Sequence, residues 1–163
     1  MIRLLLADDH AIIREGLGAL LSEESDMVVV AEAEDGRGAV RLCRQHSPDV
    51  VVMDVEMPHL NGIEATRQLL AEMPDTRVVA LSMYSTPQLV LEMFRAGAAG
   101  YLLKDCVFDE LARAIREVAS GRRFVSSAIA DVVVTEATGP RARSEGTAWR
   151  ALSPREREVV QKI

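Results

Sequence analysis

The chain lacks any long uninterrupted run of apolar residues, although 48% of its 163 residues are hydrophobic. A membrane-spanning helix needs about 18 or more consecutive apolar residues, so the sequence excludes one. The amino terminus passes from the short apolar stretch Ile2–Ala7 directly to the acidic pair Asp8 and Asp9, which is not typical of a secretory signal. We therefore expect a cytoplasmic protein without a membrane partner.

Cysteine is scarce, and no dinucleotide-binding glycine motif is present. Cys43 and Cys106 lie far apart in the chain and have no metal-binding spacing. Without an export signal, we expect both to be reduced thiols buried in the core. The segment Gly36–Gly38 (GRG) lacks a third glycine and follows the second predicted strand rather than the first, which disfavours a nucleotide-binding Rossmann domain.

The formal net charge of −6 is unevenly distributed. Residues 1–138 carry 13 basic and 22 acidic side chains, whereas residues 139–163 carry 6 basic and 3 acidic ones. A strongly acidic chain is a poor candidate for nucleic-acid binding. An acidic body joined to a basic segment can nevertheless bind nucleic acid through that segment, so composition leaves DNA binding open.

Strand-like and helix-like segments alternate over the first 122 residues. The continuous apolar run at Asp49–Met53 is typical of a strand that is covered on both faces. Five such βα repeats predict an α/β fold with a five-stranded parallel sheet and right-handed connections. The predicted strands are Ile2–Ala7, Val28–Ala33, Asp49–Met53, Arg77–Leu81 and Gly100–Leu103; the predicted helices are Ala11–Leu21, Gly36–Gln45, one capped by Asn61, one opening at Thr86–Pro87, and Val107–Ala119.

The remainder of the chain has a different organisation. A sixth helix is predicted over Ser126–Glu136, and residues 137–150 have the composition of a linker. Ser153 and Pro154 then open a new helix that is too short to be stable alone. We expect a first domain over residues 1–122, a linker helix and flexible linker over 123–151, and the start of an incomplete second domain over 152–163.

The candidate functional residues follow the first, third, fourth and fifth predicted strands, at the edge where a parallel α/β sheet places its functional site. Carboxylates that converge there repel one another, and a hard cation such as Mg²⁺ relieves that repulsion. A carboxylate beside the cation can attack phosphorus, while an ammonium group and a hydroxyl stabilise the phosphoryl oxygens. The pattern predicts metal-assisted phosphoryl transfer onto an aspartate. The residues are Asp8 and Asp9 after the first strand, Asp54 after the third, Ser82 after the fourth and Lys104 after the fifth.

Four segments carry these residues in an order that resembles the receiver domain of two-component response regulators: LLLADDH, VVMDVEMPHLNG, ALSMY and GAAGYLLKD. The resemblance covers residues 1–122 and implies a flavodoxin-like (βα)5 fold and a phosphorylation switch rather than a metabolic enzyme. The ending LSPREREVV resembles the opening of the LuxR-type helix-turn-helix of NarL/FixJ-family regulators. It implies transcriptional control through a DNA-binding effector domain, of which this chain holds only the start.

The resemblance assigns the chemistry to particular residues. Asp54 corresponds to the phosphoacceptor, which takes phosphate from a sensor histidine kinase, and Lys104 pairs with the phosphate. Mg²⁺, or Mn²⁺ in its place, would be held by the side chains of Asp9 and Asp54 and by the backbone carbonyl of Glu56. Asp8 would contribute through a water molecule.

The resemblance also implies a conformational switch formed by Ser82 and Tyr101. Glu56 and Tyr84 occupy positions that tune how quickly the phosphate is lost, and phosphorylation is expected to favour a homodimer. Ser82 as an ordinary turn residue and Tyr101 as an ordinary sheet aromatic remain alternatives at this point.

Two other functions stay open. The chain could be a receiver-only module that binds proteins without any DNA output. A metal-dependent phosphatase on a similar sheet is less favoured, because the segment Asp54–Glu56 lacks a second aspartate two residues after the first. His10 is interpreted as the start of the first helix rather than as a metal ligand.

Overall fold

A computed structural model describes residues 1–106 and 108–138 as one α/β sandwich. Its six strands are all parallel and lie in the order β2-β1-β3-β4-β5-β6. The strands are β1 (Ile2–Ala7), β2 (Met27–Ala33), β3 (Val50–Asp54), β4 (Arg77–Ser82), β5 (Gly100–Leu103) and β6 (Phe124–Val125). The helices are α1 (Ala11–Ser22), α2 (Gly36–His46), α3 (Gly62–Glu72), α4 (Pro87–Arg95), α5 (Phe108–Ala119) and α6 (Ser127–Thr138).

Two hydrophobic cores lie on opposite faces of the sheet. Successive side chains of a strand point to opposite faces, so Val51 packs with α2, α3 and α4 while Val52 packs with α1 and α5. Leu5 and Leu6 of β1 divide between the two cores in the same way. This double burial explains why the central strands are apolar without interruption and confirms the predicted parallel sheet.

The chain order reverses at β1, which lies between β2 and β3 in the sheet. The connections on its two sides therefore run to opposite faces and leave a crevice at the carboxyl ends of β1 and β3. The acidic residues after β1 and the aspartate that ends β3 lie at this crevice.

The close approach of α3 to this crevice depends on Gly62. A Cβ atom at this position would lie 2.1 Å from the carbonyl oxygen of Asp54, which only glycine can avoid. Asn61 caps the same helix, since its side chain accepts a hydrogen bond of 2.9 Å from the backbone N–H of Glu64. The predicted asparagine cap is therefore confirmed.

The sheet has one strand more than the five predicted. The two-residue strand β6 pairs with β5, and the N–H of Phe124 donates to the carbonyl of Ala99 at 2.9 Å. The predicted sixth helix is present as α6, which packs against α4 and buries Ile129 completely in the core of that face. Residues 123–138 thus continue the body of the sandwich.

Other predictions concern the cysteines, a membrane-spanning helix and the carboxyl-terminal residues. Both cysteines are free thiols; Cys43 is fully buried and Cys106 only partly so. Within residues 1–106 and 108–138, no helix is long and apolar enough to span a membrane. The predicted linker spans residues 137–150, but the first two of these belong to the end of α6. Residues 139–150 and the helix opening at Ser153 and Pro154 lie outside the described residues.

Candidate functional site

Three of the predicted residues meet at the carboxyl end of the sheet in direct contact. The Nζ atom of Lys104 lies 3.0 Å from Oδ2 of Asp8 and 3.0 Å from Oδ2 of Asp54. All three side chains are about 95% buried or more. A buried ammonium group between two carboxylates offsets one of their charges and leaves the cluster with an excess negative charge.

The turn after β1 is built around Asp8. Its Oδ1 accepts the backbone N–H of His10 at 2.8 Å, and its carbonyl oxygen accepts a 2.6 Å hydrogen bond from the guanidinium of Arg14. The Arg14 side chain, which is largely buried, also pairs with Glu32 of β2 at 3.3 Å. These bonds fix the direction in which the following Asp9 leaves the sheet.

Burial controls the protonation of Asp54. It raises the pKa of this carboxyl to about 6, although the hydrogen bond from Lys104 opposes the rise. The negative charge of Asp8 raises the pKa of Asp54 further. Burial acts to lower the pKa of Lys104, but its bonds to the two carboxylates outweigh that effect and hold the pKa above its ordinary value. The lysine is therefore charged at neutral pH.

Four residues of the crevice can present donor atoms to one cation. A ligand atom from each of Asp8, Asp9, His10 and Asp54 lies within 4.8 Å of the other three. Carboxylate oxygens are the ligands that Mg²⁺ prefers, and the excess negative charge of the cluster favours a divalent cation. The residues present therefore fit a Mg²⁺ site.

An open cavity of about 520 Å³ lies directly in front of these groups. Asp9, Asp54, Glu56 and Lys104 are the charged residues that line it. The backbone N–H of Glu56 donates to Oδ1 of Asp54 at 3.2 Å. This bond engages Oδ1 of Asp54 while Lys104 engages Oδ2, so both oxygens of the carboxylate are held in place.

A chain of hydrogen bonds connects Ser82 to Tyr101. The buried Oγ of Ser82 accepts the backbone N–H of Tyr84 at 3.0 Å, and the carbonyl oxygen of Tyr84 accepts the Tyr101 hydroxyl at 2.8 Å. Tyr101 is fully buried, and burial raises its pKa. Its ring lies 6.4 Å from that of Phe94 on α4. Tyr101 is thus not a surface residue of the sheet edge.

Residues 4–116 match the response regulator receiver domain family. The chain belongs to this family. This response regulator is 39% identical over 165 residues to YxjL of Bacillus subtilis strain 168, an uncharacterized transcriptional regulatory protein. The alignment covers 99% of this chain and 75% of that protein. It is 36% identical to response regulator GacA of Pseudomonas aeruginosa, over 100% of this chain and 75% of the relative.

The structural comparison agrees with the sequence match. A two-component response regulator of the LuxR family from Aurantimonas sp. SI85-9A1 is 39% identical to this response regulator. The two superpose with a TM-score of 0.82, over 85% of this chain and 99% of that one. The predicted flavodoxin-like receiver fold and the LuxR/NarL-type family are both confirmed, and members of this family act as regulatory switches rather than metabolic enzymes.

The receiver brings together most of the residues singled out from its sequence. Asp8, Asp54 and Lys104 are in contact, and Asp9 joins them at the cavity. The remaining positions lie nearby: Ser82 and Tyr101 are linked through the backbone of Tyr84, and the exposed Glu56 lines the cavity wall.

Two features of this site have no clear sequence signal. Arg14 reaches back to the carbonyl of Asp8, a contact that no local pattern encodes. The ring of His10 turns toward the acidic pair, with Nδ1 3.1 Å from Oδ1 of Asp8 and 3.2 Å from Oδ1 of Asp9. The only sequence feature that points to this orientation of the His10 ring is that His10 directly follows Asp8 and Asp9.

Proposed function

We propose that Asp54 accepts a phosphoryl group from a sensor histidine kinase and that this modification switches the receiver between two conformations. The observation that carries the proposal is the buried Asp54 carboxylate, 3.0 Å from Lys104 and open to the cavity. In the transfer, an Asp54 oxygen forms a bond to phosphorus while the bond from phosphorus to the donor nitrogen breaks. The histidine nitrogen leaves, and an acyl phosphate remains on Asp54.

The surrounding residues support that step electrostatically. Lys104 is positioned to neutralise charge on the phosphoryl oxygens, which is the main requirement of phosphoryl transfer. The side chains of Asp9 and Asp54 and the Glu56 carbonyl are proposed to hold Mg²⁺ or Mn²⁺, with Asp8 contributing through water. When bound, the cation supplies further charge neutralisation at the phosphoryl oxygens.

The hydrogen-bond chain from Ser82 suggests how phosphorylation is transmitted. The Ser82 hydroxyl accepts a bond from Tyr84 and also hydrogen-bonds with the Tyr101 side chain, and its hydrogen can turn from there to donate to a phosphoryl oxygen. A shift of Ser82 toward the phosphate would strain the loop at Tyr84 and thus the bond from Tyr101. Since Tyr101 lies against Phe94 of α4, and α4 packs against α6, the change would pass toward the carboxyl-terminal segment.

Two exposed residues are proposed to set the lifetime of the acyl phosphate. Glu56 lies at the cavity wall, and the Tyr84 side chain is 52% exposed. Glu56 lies two positions after Asp54 and Tyr84 lies two positions after Ser82, and both Asp54 and Ser82 would contact the phosphoryl group. From there, Glu56 and Tyr84 can control the access of the water molecule that hydrolyses it. The receiver would catalyse only its own phosphorylation and dephosphorylation.

Phosphorylation is tested with acetyl phosphate and Mg²⁺, followed by intact-mass analysis. We expect one phosphoryl adduct in the wild type, loss of the adduct in Asp54→Asn, and loss in EDTA. The matched control Asp75→Asn removes an exposed carboxylate outside the site and should keep the adduct. An adduct that persists in Asp54→Asn would contradict the proposal.

We further propose that the output is transcriptional, with residues 1–122 as the receiver, 123–151 as a linker helix followed by a flexible linker, and 152–163 as the start of a LuxR-type DNA-binding domain. The similarity to transcriptional regulators supports this output. The protein would act in the cytoplasm and form a homodimer on phosphorylation. A receiver-only module that binds proteins is the alternative.

The output is tested with the natural gene product and beryllofluoride, which mimics the acyl phosphate. We expect gel-shift binding to promoter DNA that strengthens with beryllofluoride, and a rise in mass by light scattering. If the natural protein neither binds DNA nor carries a complete helix-turn-helix domain, the receiver-only alternative is correct.

A further inference from the structure

We infer that His10 supplies a nitrogen ligand to the cation site, which then favours borderline cations such as Zn²⁺ more than an all-oxygen site would. The inference rests on the proposed cation site at Asp9 and Asp54. His10 occupies the N-cap position of α1, yet its side chain makes no capping hydrogen bond. The imidazole turns instead toward the two carboxylates that precede it.

The distances agree with shared coordination. Ligands at about 2.1 Å from a metal and at right angles to each other lie about 3.0 Å apart. Nδ1 of His10 lies 3.1 Å from Oδ1 of Asp8 and 3.2 Å from Oδ1 of Asp9. A cation coordinated by Nδ1 and Asp9 would thus need almost no rearrangement of these groups.

Without a cation, the same distances are those of an ordinary hydrogen bond in which Nδ1–H donates to Asp8. Oδ1 of Asp8 already accepts the backbone N–H of His10, and its Oδ2 accepts Lys104. The His10 side chain is 60% exposed, and its Nε2 has no hydrogen-bond partner among residues 1–106 and 108–138. Solvent can therefore satisfy Nε2–H when a cation replaces the hydrogen on Nδ1, and the Nδ1 lone pair then coordinates that cation.

A nitrogen ligand changes which cations the site prefers. Mg²⁺ is a hard cation with little preference for imidazole, whereas imidazole suits Zn²⁺ and other late first-row cations. Loss of His10 should therefore weaken Zn²⁺ binding and leave Mg²⁺ binding nearly unchanged. In the cell, zinc would compete with magnesium at this site and so with phosphorylation of the receiver.

The test compares His10→Asn with the control His59→Asn in the full chain. Asparagine is a good N-cap residue at position 10, and it tolerates the left-handed backbone of His59, whose φ is 68°. Electron spin-echo spectra of bound Mn²⁺ report a directly coordinated nitrogen. Displacement of that Mn²⁺ by Zn²⁺ and by Mg²⁺ gives the two affinities.

We expect nitrogen modulation in the wild type and in His59→Asn, and none in His10→Asn. Zn²⁺ affinity should fall about tenfold or more in His10→Asn, a loss as large as that seen for partners of metal ligands. Mg²⁺ affinity should change less than about twofold, since asparagine retains an oxygen donor.

Two results would overturn the inference. Mn²⁺ that binds the wild type without nitrogen modulation would leave the proposed function standing and remove His10 from the ligand set. A failure of Mn²⁺ and Mg²⁺ to bind at all would contradict the proposed cation site as well. Phosphorylation of Asp54, measured separately by mass, distinguishes these two failures.

Discussion

The unpaired charge of the crevice predicts that Asp54→Asn stabilises the metal-free protein. Asp54 is 3% exposed, and burial raises its pKa from 3.8 to about 6. The ionised carboxylate is thus less favourable in the folded state than in the unfolded chain. Asparagine keeps the shape and the hydrogen-bonding capacity but removes the charge.

The pKa shift sets the magnitude of this effect. A rise of about two units corresponds to about 3 kcal/mol of destabilisation by the ionised group, at about 1.4 kcal/mol per unit. The attraction of Lys104 for Asp54 is already included in that shift. We therefore expect the free energy of unfolding of Asp54→Asn to exceed that of the wild type by about 2–3 kcal/mol at pH 7.5.

The sign of the pH dependence follows from proton binding. Between the unfolded pKa of 3.8 and the folded pKa of about 6, the folded state binds more protons at Asp54 than the unfolded state does. The wild type therefore loses stability as the pH rises through this window, and the loss is complete above it. The advantage of Asp54→Asn should fall to about half at pH 5 and nearly vanish by about pH 4.

Urea unfolding followed by circular dichroism in EDTA measures these differences at each pH. The control Asp75→Asn changes an exposed carboxylate and should shift stability by less than about 0.5 kcal/mol. Mg²⁺ at about 100 times its dissociation constant should then add about 2.7 kcal/mol to the wild type and less to Asp54→Asn. A variant that is less stable than the wild type in EDTA, or an advantage independent of pH, would refute the reasoning.

Three further predictions concern packing and exposure. Gly62→Ala places a Cβ atom 2.1 Å from a backbone oxygen and should lower the free energy of unfolding by about 2 kcal/mol or more. At Gly16, within helix α1, an added Cβ atom meets open space, so Gly16→Ala should raise the free energy of unfolding by up to about 1 kcal/mol. Tyr101→Phe removes the hydrogen bond to Tyr84 and should cost about 1 kcal/mol in urea unfolding. Burial raises the pKa of Cys43 to about 12, so at pH 8 its thiol should react with Ellman's reagent only at the rate of opening or unfolding.

Each of these predictions has an outcome that contradicts it. Equal destabilisation by the two glycine substitutions would mean that the approach of α3 to β3 is not the cause. An unchanged midpoint for Tyr101→Phe would show that its hydroxyl bond contributes nothing. Rapid labelling of two thiols in the native protein would contradict the burial of Cys43.

The order of elements and the grouping of the acidic residues follow from sequence alone. Uninterrupted apolar strands such as Val50–Asp54 alternate with helical patterns, and this alternation is sufficient to predict a parallel sheet. Because the carboxyl ends of parallel strands meet at one edge, Asp8, Asp54 and Lys104 were expected to converge, and they do. These features depend on local patterning and on a general rule of topology.

Other features depend on contacts between residues that are distant in the chain. The strand β6 is too short to show any periodicity. It forms because the N–H of Phe124 donates a hydrogen bond to the carbonyl of Ala99, beside β5. Similarly, no local sequence pattern predicts the hydrogen bond from the Arg14 guanidinium to the carbonyl oxygen of Asp8.

The sequence by itself therefore determined the fold, the family and the chemical types at the site. Only the tertiary structure decided how the side chains are oriented: Tyr101 is buried against α4, and the His10 ring faces the acidic pair. The physical reason is that periodicity specifies which face of an element is apolar. Hydrogen bonds and ion pairs across elements decide where each polar side chain points.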